Sequence, residues 1–246
     1  MAPLLEIVDI TGRSYFMWKK PWLLTQQWHD VVFLHWPIQP HELQQHMPKE
    51  LNLDLYEDTA WLGIVLFKVK GNRFRFMPPI PKMSSFLQLN VRTYVTCRER
   101  KGIYFFSSDV SSNFIAQITS IGHFLPYRYA EIICSRKGNI LSLLHNYRNT
   151  NADESFHVTF EPKAGEIESH AFEKWLVERY HSWVRGQKHL IRIDISHMPW
   201  RLQRVNACVE TNTMAPFIKR SIQGKQPIAH YAKKKTARIF PPIFEI

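Results

Sequence analysis

The stretch from Phe86 to Val95 carries the most chemistry in this chain of 246 residues. Read as a strand, it places Leu87, Leu89, Val91, Thr93 and Val95 on one side and Phe86, Gln88, Asn90, Arg92 and Tyr94 on the other. Two amides and a guanidinium in one row can donate, accept and hold an anion through charge-assisted hydrogen bonds. An antiparallel sheet often turns such a row to solvent. Aromatics at both ends argue instead for the wall of a cleft or barrel lumen, since pockets are apolar with a few convergent polar groups. The residues by themselves support the two readings about equally.

Other chemistry is less well supported. Of twelve histidines, the pairs His41/His46, His29/His35 and His181/His189 lack the i, i+4 spacing of a helical metal site, so no metal is expected. Cys97, Cys134 and Cys208 form no C-x-x-C pair, which points to a reduced, cytoplasmic protein without disulfides. The chain has no G-x-x-x-x-G-K, G-x-G-x-x-G, G-x-S-x-G or H-E-x-x-H signature, and no cofactor is expected.

Charge supplies a competing idea. Lys and Arg total 32 against 21 Asp and Glu, a net +11, which suits a polyanion or a small anionic ligand. The basic runs at Lys19-Lys20, Arg98-Glu99-Arg100-Lys101 and Lys233-Lys234-Lys235 with Arg238 read as solvated hairpins or a tail. Arg73-Phe74-Arg75-Phe76 interleaves cations and aromatics, as single-stranded nucleic acid would require, but reads better as a strand end beside the proline loop Met77–Pro81. Apolar runs such as Val31–Leu34 and Ile64–Phe67 are far too short to span a bilayer, and Met1–Ile10, with Glu6 and Asp9, does not read as a signal peptide.

The elements that must position the polar row are mostly short strands. Val31–Trp36 reads as a buried strand, followed by a short helix from Pro40 over Leu43 and Met47 to Pro48. Leu51, Leu53 and Leu55 alternate and turn at Glu57-Asp58 into Ala60–Lys70, which reads as a hairpin. After a hairpin at Arg98–Gly102 comes the strand Ile103–Ser108. Ser111 or Ser112 then caps a helix that ends at Gly122. Tyr127–Arg136 is a strand, Tyr147–Pro162 an outer hairpin, and Ser169–Trp183 a helix. Strands over Arg192–Ile195, Val205–Val209 and Ala237–Phe240 follow, with a bend at Pro199-Trp200.

The blocks Phe33-Leu-His-Trp36, Asn90-Val-Arg-Thr-Tyr-Val95, Gly102-Ile-Tyr-Phe-Phe106, Leu125-Pro-Tyr127, Glu178-Arg-Tyr180 and Pro199-Trp200 resemble, in order, the YqjF-like family of uncharacterised bacterial proteins. That family is in turn similar to acetoacetate decarboxylase. The resemblance implies an α+β, mainly antiparallel β fold: a closed cone-like β-barrel with a ligand cavity and a few peripheral helices. It also implies one domain over residues 1–246, with 1–20 a peripheral N-terminal arm.

The decarboxylase carries a Pro-Lys-Lys segment whose first lysine forms a Schiff base with the keto acid. The matching residues here are Pro126, Tyr127 and Arg128, and Gln88 stands where the decarboxylase has a glutamate. A phenol forms no imine and an amide takes no proton, so Schiff-base decarboxylation is not expected. The resemblance turns the Gln88 face to the lumen, which makes Gln88, Asn90, Arg92, Tyr127 and Arg128 the candidate ligand-binding residues and Tyr127 and His123 the candidate catalytic groups. Lys68, on an otherwise apolar strand, is the next candidate for a displaced nucleophile. The expected partner is a small carboxylate or carbonyl compound. Nucleic acid is the second choice, no membrane is expected, and a homo-oligomer is left open.

Overall fold

Long extended runs rich in Val, Ile, Phe, Trp and Thr dominate the chain and build sheet. The computed structural model describes residues 4–8, 14–18, 21–79, 81, 83–121, 127–149, 152–186 and 189–245. Its elements are β1 (Leu4–Val8), β2 (Ser14–Trp18), β3 (Leu24–Ile38), α1 (Pro40–Gln44), β4 (Asn52–Leu53), β5 (Ala60–Phe74), β6 (Ser85–Cys97), β7 (Arg100–Val110), α2 (Asn113–Ile121), β8 (Tyr127–Tyr129), β9 (Glu131–Lys137) and β10 (Ile140–Asn149). They continue with β11 (Ala152–Pro162), α3 (Ala171–Val177), β12 (His181–Arg185), β13 (Leu190–His197), β14 (Gln203–Asn212), α4 (Lys219–Ile222), β15 (Ile228–Ile239) and β16 (Ile243–Glu245).

Strands β13, β12, β7, β6, β5, β3 and β15 are neighbours in that order, and pairing of β13 with β15 closes them into a ring. All these contacts are antiparallel except β7 with β12, which is parallel. The fold is therefore α+β, mainly antiparallel β, with few and short helices, as expected. The joints differ in length: β3 meets β5 along most of both strands, whereas β13 meets β15 only at Ile195, Ser196 and His197, and β12 meets β7 only at Ser182 and Trp183. Gly102 lies beside that last joint. A Cβ there would come within 2.3 Å of the His181 carbonyl oxygen and 2.5 Å of Trp183, so the close approach depends on a residue without a side chain.

Along β6 and the adjoining parts of β3 and β5 both surfaces of the ring are buried. Val31, Phe33, Val65, Phe67, Phe86 and Tyr94 share one core cluster inside it. Outside, Leu34, Ile64, Leu66, Leu89 and Val91 pack against Leu141, Leu143, Phe156, Val158 and Phe160 of a second layer, the sheet β14-β11-β10-β9 that continues from β15. Every residue of β6 from Gln88 to Val95 is consequently buried, which removes the solvent-face reading of its polar row.

Several local expectations change. The segment around Leu53 pairs with β6, not with β5, and only a Tyr56–Thr59 bridge spans the Glu57-Asp58 turn. The α1 helix is shorter than expected, ending at Gln44. Helix α3 is capped by His170 and ends at Val177, where Glu178 leaves helical geometry at φ −85° and ψ 77°; Trp183 belongs to β12. The basic run Lys233–Lys235 is no tail but the middle of β15. Its Lys235 is buried, donating to the carbonyls of Met198 and Pro199. Ser112, not Ser111, caps α2 through its hydroxyl, which accepts from the Ile115 N–H, while the Ser111 hydroxyl accepts from the Leu87 N–H. Lys19-Lys20, Gly122, His123, Leu125 and Pro126 lie outside the described residues.

Candidate functional site

The period of two along β6 turns Gln88, Asn90 and Arg92 inward, and there they line a cavity of about 80 Å³ inside the ring. Trp28, Phe33, Phe67, Phe105 and Trp200 supply aromatic walls; Ser108, Tyr127, Arg179 and His197 add polar groups. No lysine is among its described lining residues.

The amides form one end of a hydrogen-bonded chain. Gln88 Nε2 donates to Asn90 Oδ1 at 2.9 Å, and the Gln88 side chain also hydrogen-bonds the Tyr127 phenol. Burial pushes that phenol up to about 12, so Tyr127 keeps its proton and serves as a donor rather than a base. Gln88 Oε1 is buried with no partner in the protein.

Arg92 holds a buried charge with no carboxylate partner among the described residues, and its guanidinium hydrogen-bonds the Tyr94 phenol. It is 8% exposed, and neither Nε nor Nη2 has a hydrogen-bond partner in the protein. Desolvation lowers its pKa, and its guanidinium lies 5.7 Å from the centroid of the Phe33 ring. Gly63, opposite it on β5, leaves the room: a Cβ there would meet Arg92 Cγ at 3.3 Å and His35 Cδ2 at 3.4 Å. Arg179, also on the lining, is answered by Asp54 at 2.5 Å and donates from Nε to the Trp175 carbonyl, although its Nη2 too has no partner.

Arg128 goes elsewhere. On β8 its neighbour Tyr127 points into the cavity, and the alternation of a strand sends Arg128 to the opposite face. There it forms bidentate pairs with Asp109 (2.6 and 2.8 Å) and Glu154 (3.1 and 2.9 Å) and stacks at 3.9 Å on Tyr147. Asp109, fully buried, also meets His145 Nε2 at 2.7 Å. Burial disfavours the charge on Arg128, but the two carboxylates hold its pKa above the ordinary value. The Arg128 position is therefore a clasp between β7, β8 and the outer sheet, away from the cavity. Lys68 is exposed on the outer face of β5, in a groove with Cys134 and Arg136.

Two groups escaped the reading of the sequence, His197 and Arg179. His197 lies just before the block Pro199-Trp200 and Arg179 lies within Glu178-Arg-Tyr180, blocks that mark the segments without assigning roles. Desolvation lowers His197 to about 3, and His35, fully buried with neither ring nitrogen partnered, is also held well below 6.5. The unfolded chain protonates such rings near 6.5 while the folded protein does not, so the unfolded state binds more protons across the window from 6.5 down to about 3. Stability is expected to fall as pH drops through that window. Urea midpoints measured from pH 8 to 4 check this, and His197→Phe should lessen the slope; a flat wild-type profile would contradict it.

Among the described residues there is no group of three or more His, Cys, Asp or Glu able to hold a metal ion, and no helix long and apolar enough to cross a membrane.

The model of the DUF2071 family, described as an uncharacterized conserved protein, matches residues 25–236. The chain belongs to this family. Among DUF2071 relatives, the uncharacterized protein YqjF of Bacillus subtilis (strain 168) is 32% identical over 222 residues, 89% of this chain and 91% of that protein. The DUF2071 fold is similar to that of an acetoacetate decarboxylase-like enzyme from Sphingomonas wittichii RW1, with a TM-score of 0.65, 12% identity and coverage of 92% and 94% of the two chains. It is also similar to the enduracididine biosynthesis enzyme MppR in complex with pyruvate (TM-score 0.62, 10% identity, 96% and 94% covered). Acetoacetate decarboxylase from Legionella pneumophila gives a TM-score of 0.62 at 11% identity, with 94% and 91% covered.

Proposed function

We propose that this DUF2071 protein takes a small organic acid into its ring cavity and acts on it, if at all, without a Schiff base. The observation that carries the reading is Arg92: a buried guanidinium in an aromatic cavity, with Nε and Nη2 unpartnered. A native fold rarely leaves a desolvated cation unanswered, and a ligand carboxylate would take the two N–H groups side-on. The short organic acid in the MppR complex with pyruvate, a protein of similar fold, supports the size class.

The volume points the same way. About 80 Å³ is roughly half the cavity of about 150 Å³ that admits benzene in an engineered protein, so acids of three or four carbons fit best. With its carboxylate on Arg92, such an acid would present its second carbon to Tyr127. The Tyr127 O–H, polarised by the Gln88 amide on its oxygen, would donate to an oxygen on that carbon.

Titration calorimetry with propionate, pyruvate and lactate, beside propionamide as a neutral control, tests the reading. The acids are expected to bind and the amide is not; equal binding of acid and amide would overturn it. Borohydride added with acetoacetate is expected to leave no mass adduct, and a lysine adduct would show an amine nucleophile in reach.

A further inference from the structure

Taking the cavity to be an acid site, the donors and acceptors that face it do not balance. Arg92 offers only N–H groups. The Tyr127 oxygen already interacts with Gln88, so its O–H remains to donate. The acceptors are equally definite. His197 lies on β13 among the lining residues, and its Nδ1 is 2.9 Å from the Met198 carbonyl oxygen. A carbonyl oxygen only accepts, so Nδ1 carries the hydrogen and Nε2 carries a lone pair. The tautomer is fixed by the backbone. The ring is also held in place, between Tyr180 at 4.9 Å, Trp200 at 5.1 Å and Trp28 at 6.2 Å between centroids. Gln88 Oε1 is a buried acceptor without a partner.

A simple 2-oxo acid offers nothing but acceptors, to a site that holds unanswered acceptors of its own. A hydroxyl answers both sides, because its oxygen accepts from Tyr127 while its hydrogen is donated onward. We propose that His197 is a specificity-determining residue whose Nε2 accepts the hydroxyl hydrogen of the ligand, so that the site selects short 2-hydroxy acids over their 2-oxo and unsubstituted counterparts. Burial and the nearby Lys235 and Arg92 charges keep the imidazole neutral, with its pKa near 3, which suits an acceptor and not a base working at neutral pH.

The test compares lactate, pyruvate and propionate by calorimetry on the full chain. A buried acceptor left unpaired weakens binding by about tenfold, so one lactate enantiomer is expected to bind at least about ten times more tightly than pyruvate or propionate. His197→Phe, which keeps a ring in the aromatic cage, should bring all three to the affinity of propionate. The wild-type preference should be unchanged between pH 5 and 8.

Pyruvate binding as tightly as lactate, or a lactate preference that survives His197→Phe, overturns the inference while leaving the acid-binding reading intact. If none of the three acids binds, the acid-binding reading falls and this one with it. Should His197→Phe fail to fold, ¹⁵N spectra of the wild type decide. Nε2 is expected to resonate as an unprotonated nitrogen in the free protein and to move upfield on adding lactate but not propionate; a protonated Nε2 overturns the proposal.

Discussion

Arg92→Met is expected to make the protein more stable and to remove its affinity for acids in the same step. Arg92 is buried at 8% exposure with no ion pair among the described residues, so the cost of desolvating its charge is offset only by the Tyr94 phenol and the Phe33 ring face. Methionine fills a similar volume and removes the buried charge, and the Tyr94 phenol keeps its bond to the Leu176 carbonyl. Replacing buried ionic groups by packed apolar ones is often stabilising by about 1–4 kcal/mol, which in a domain of this size raises the thermal midpoint by several degrees. Among the described lining residues, the same change deletes the one cation not answered by a carboxylate, and truncating one partner of a buried charge pair costs about 2–5 kcal/mol of binding, a loss of roughly 30-fold or more. Calorimetric melting and titration on one preparation read both signs. A lowered midpoint together with unchanged affinity would mean that Arg92 supports the ring and not a ligand.

Arg128→Met should behave in the opposite way. Arg128 answers two carboxylates at once, and Asp109 is completely buried. Removing the cation leaves Asp109 with only the His145 ring and Glu154 without its guanidinium, at a cost of about 3–5 kcal/mol. The thermal midpoint should drop by roughly 6–20 °C. Below that midpoint, affinity for short acids should be little changed, because the guanidinium does not line the cavity. Combining Arg128→Met with Asp109→Asn and Glu154→Gln should recover part of the loss. If the triple variant is no more stable than the single one, the clasp is not held by charge.

The contrast between these two arginines shows where the sequence is legible. Alternation along Phe86–Val95 is a local property, and it identified the strand, the inward row and its polar members. It did not say which face was buried, because in a ring covered by a second sheet both are, and the covering residues lie more than forty positions away at Leu141–Phe160. Arg128 looked like Arg92 as a residue type. Its partners are 19 and 26 positions distant on other strands, and only the folded chain brings them to it.

The misjudged elements have the same origin. The apolar spacing of a helix does continue past Val177 toward Trp183. The chain nonetheless leaves the helix at Glu178, whose carboxylate accepts from the Trp200 N–H and the Tyr180 hydroxyl, while Arg179 reaches back to Asp54. The Leu51–Leu55 segment has the alternation of a hairpin arm but pairs with a strand that comes later in the chain. His197 was not singled out because its place on the cavity wall, and the Trp28 and Tyr180 rings beside it, come from distant segments that only the fold brings together.

The two short joints of the ring, β7 to β12 and β13 to β15, flank the same antiparallel pair. Strands β12 and β13 thus hang like a door leaf between a hinge post and a latch, while the opposite wall, β3-β5-β6-β7, is sewn along its full height. The leaf carries Ser182, Ile193, Ile195 and His197 into the lumen, so it holds part of the cavity wall as well as the shortest seams. Local opening follows the path of fewest broken contacts. A guest bridging from Arg92 on the fixed wall to His197 on the leaf would therefore bolt the door it came through, and residence time rather than affinity alone would report on that bolt.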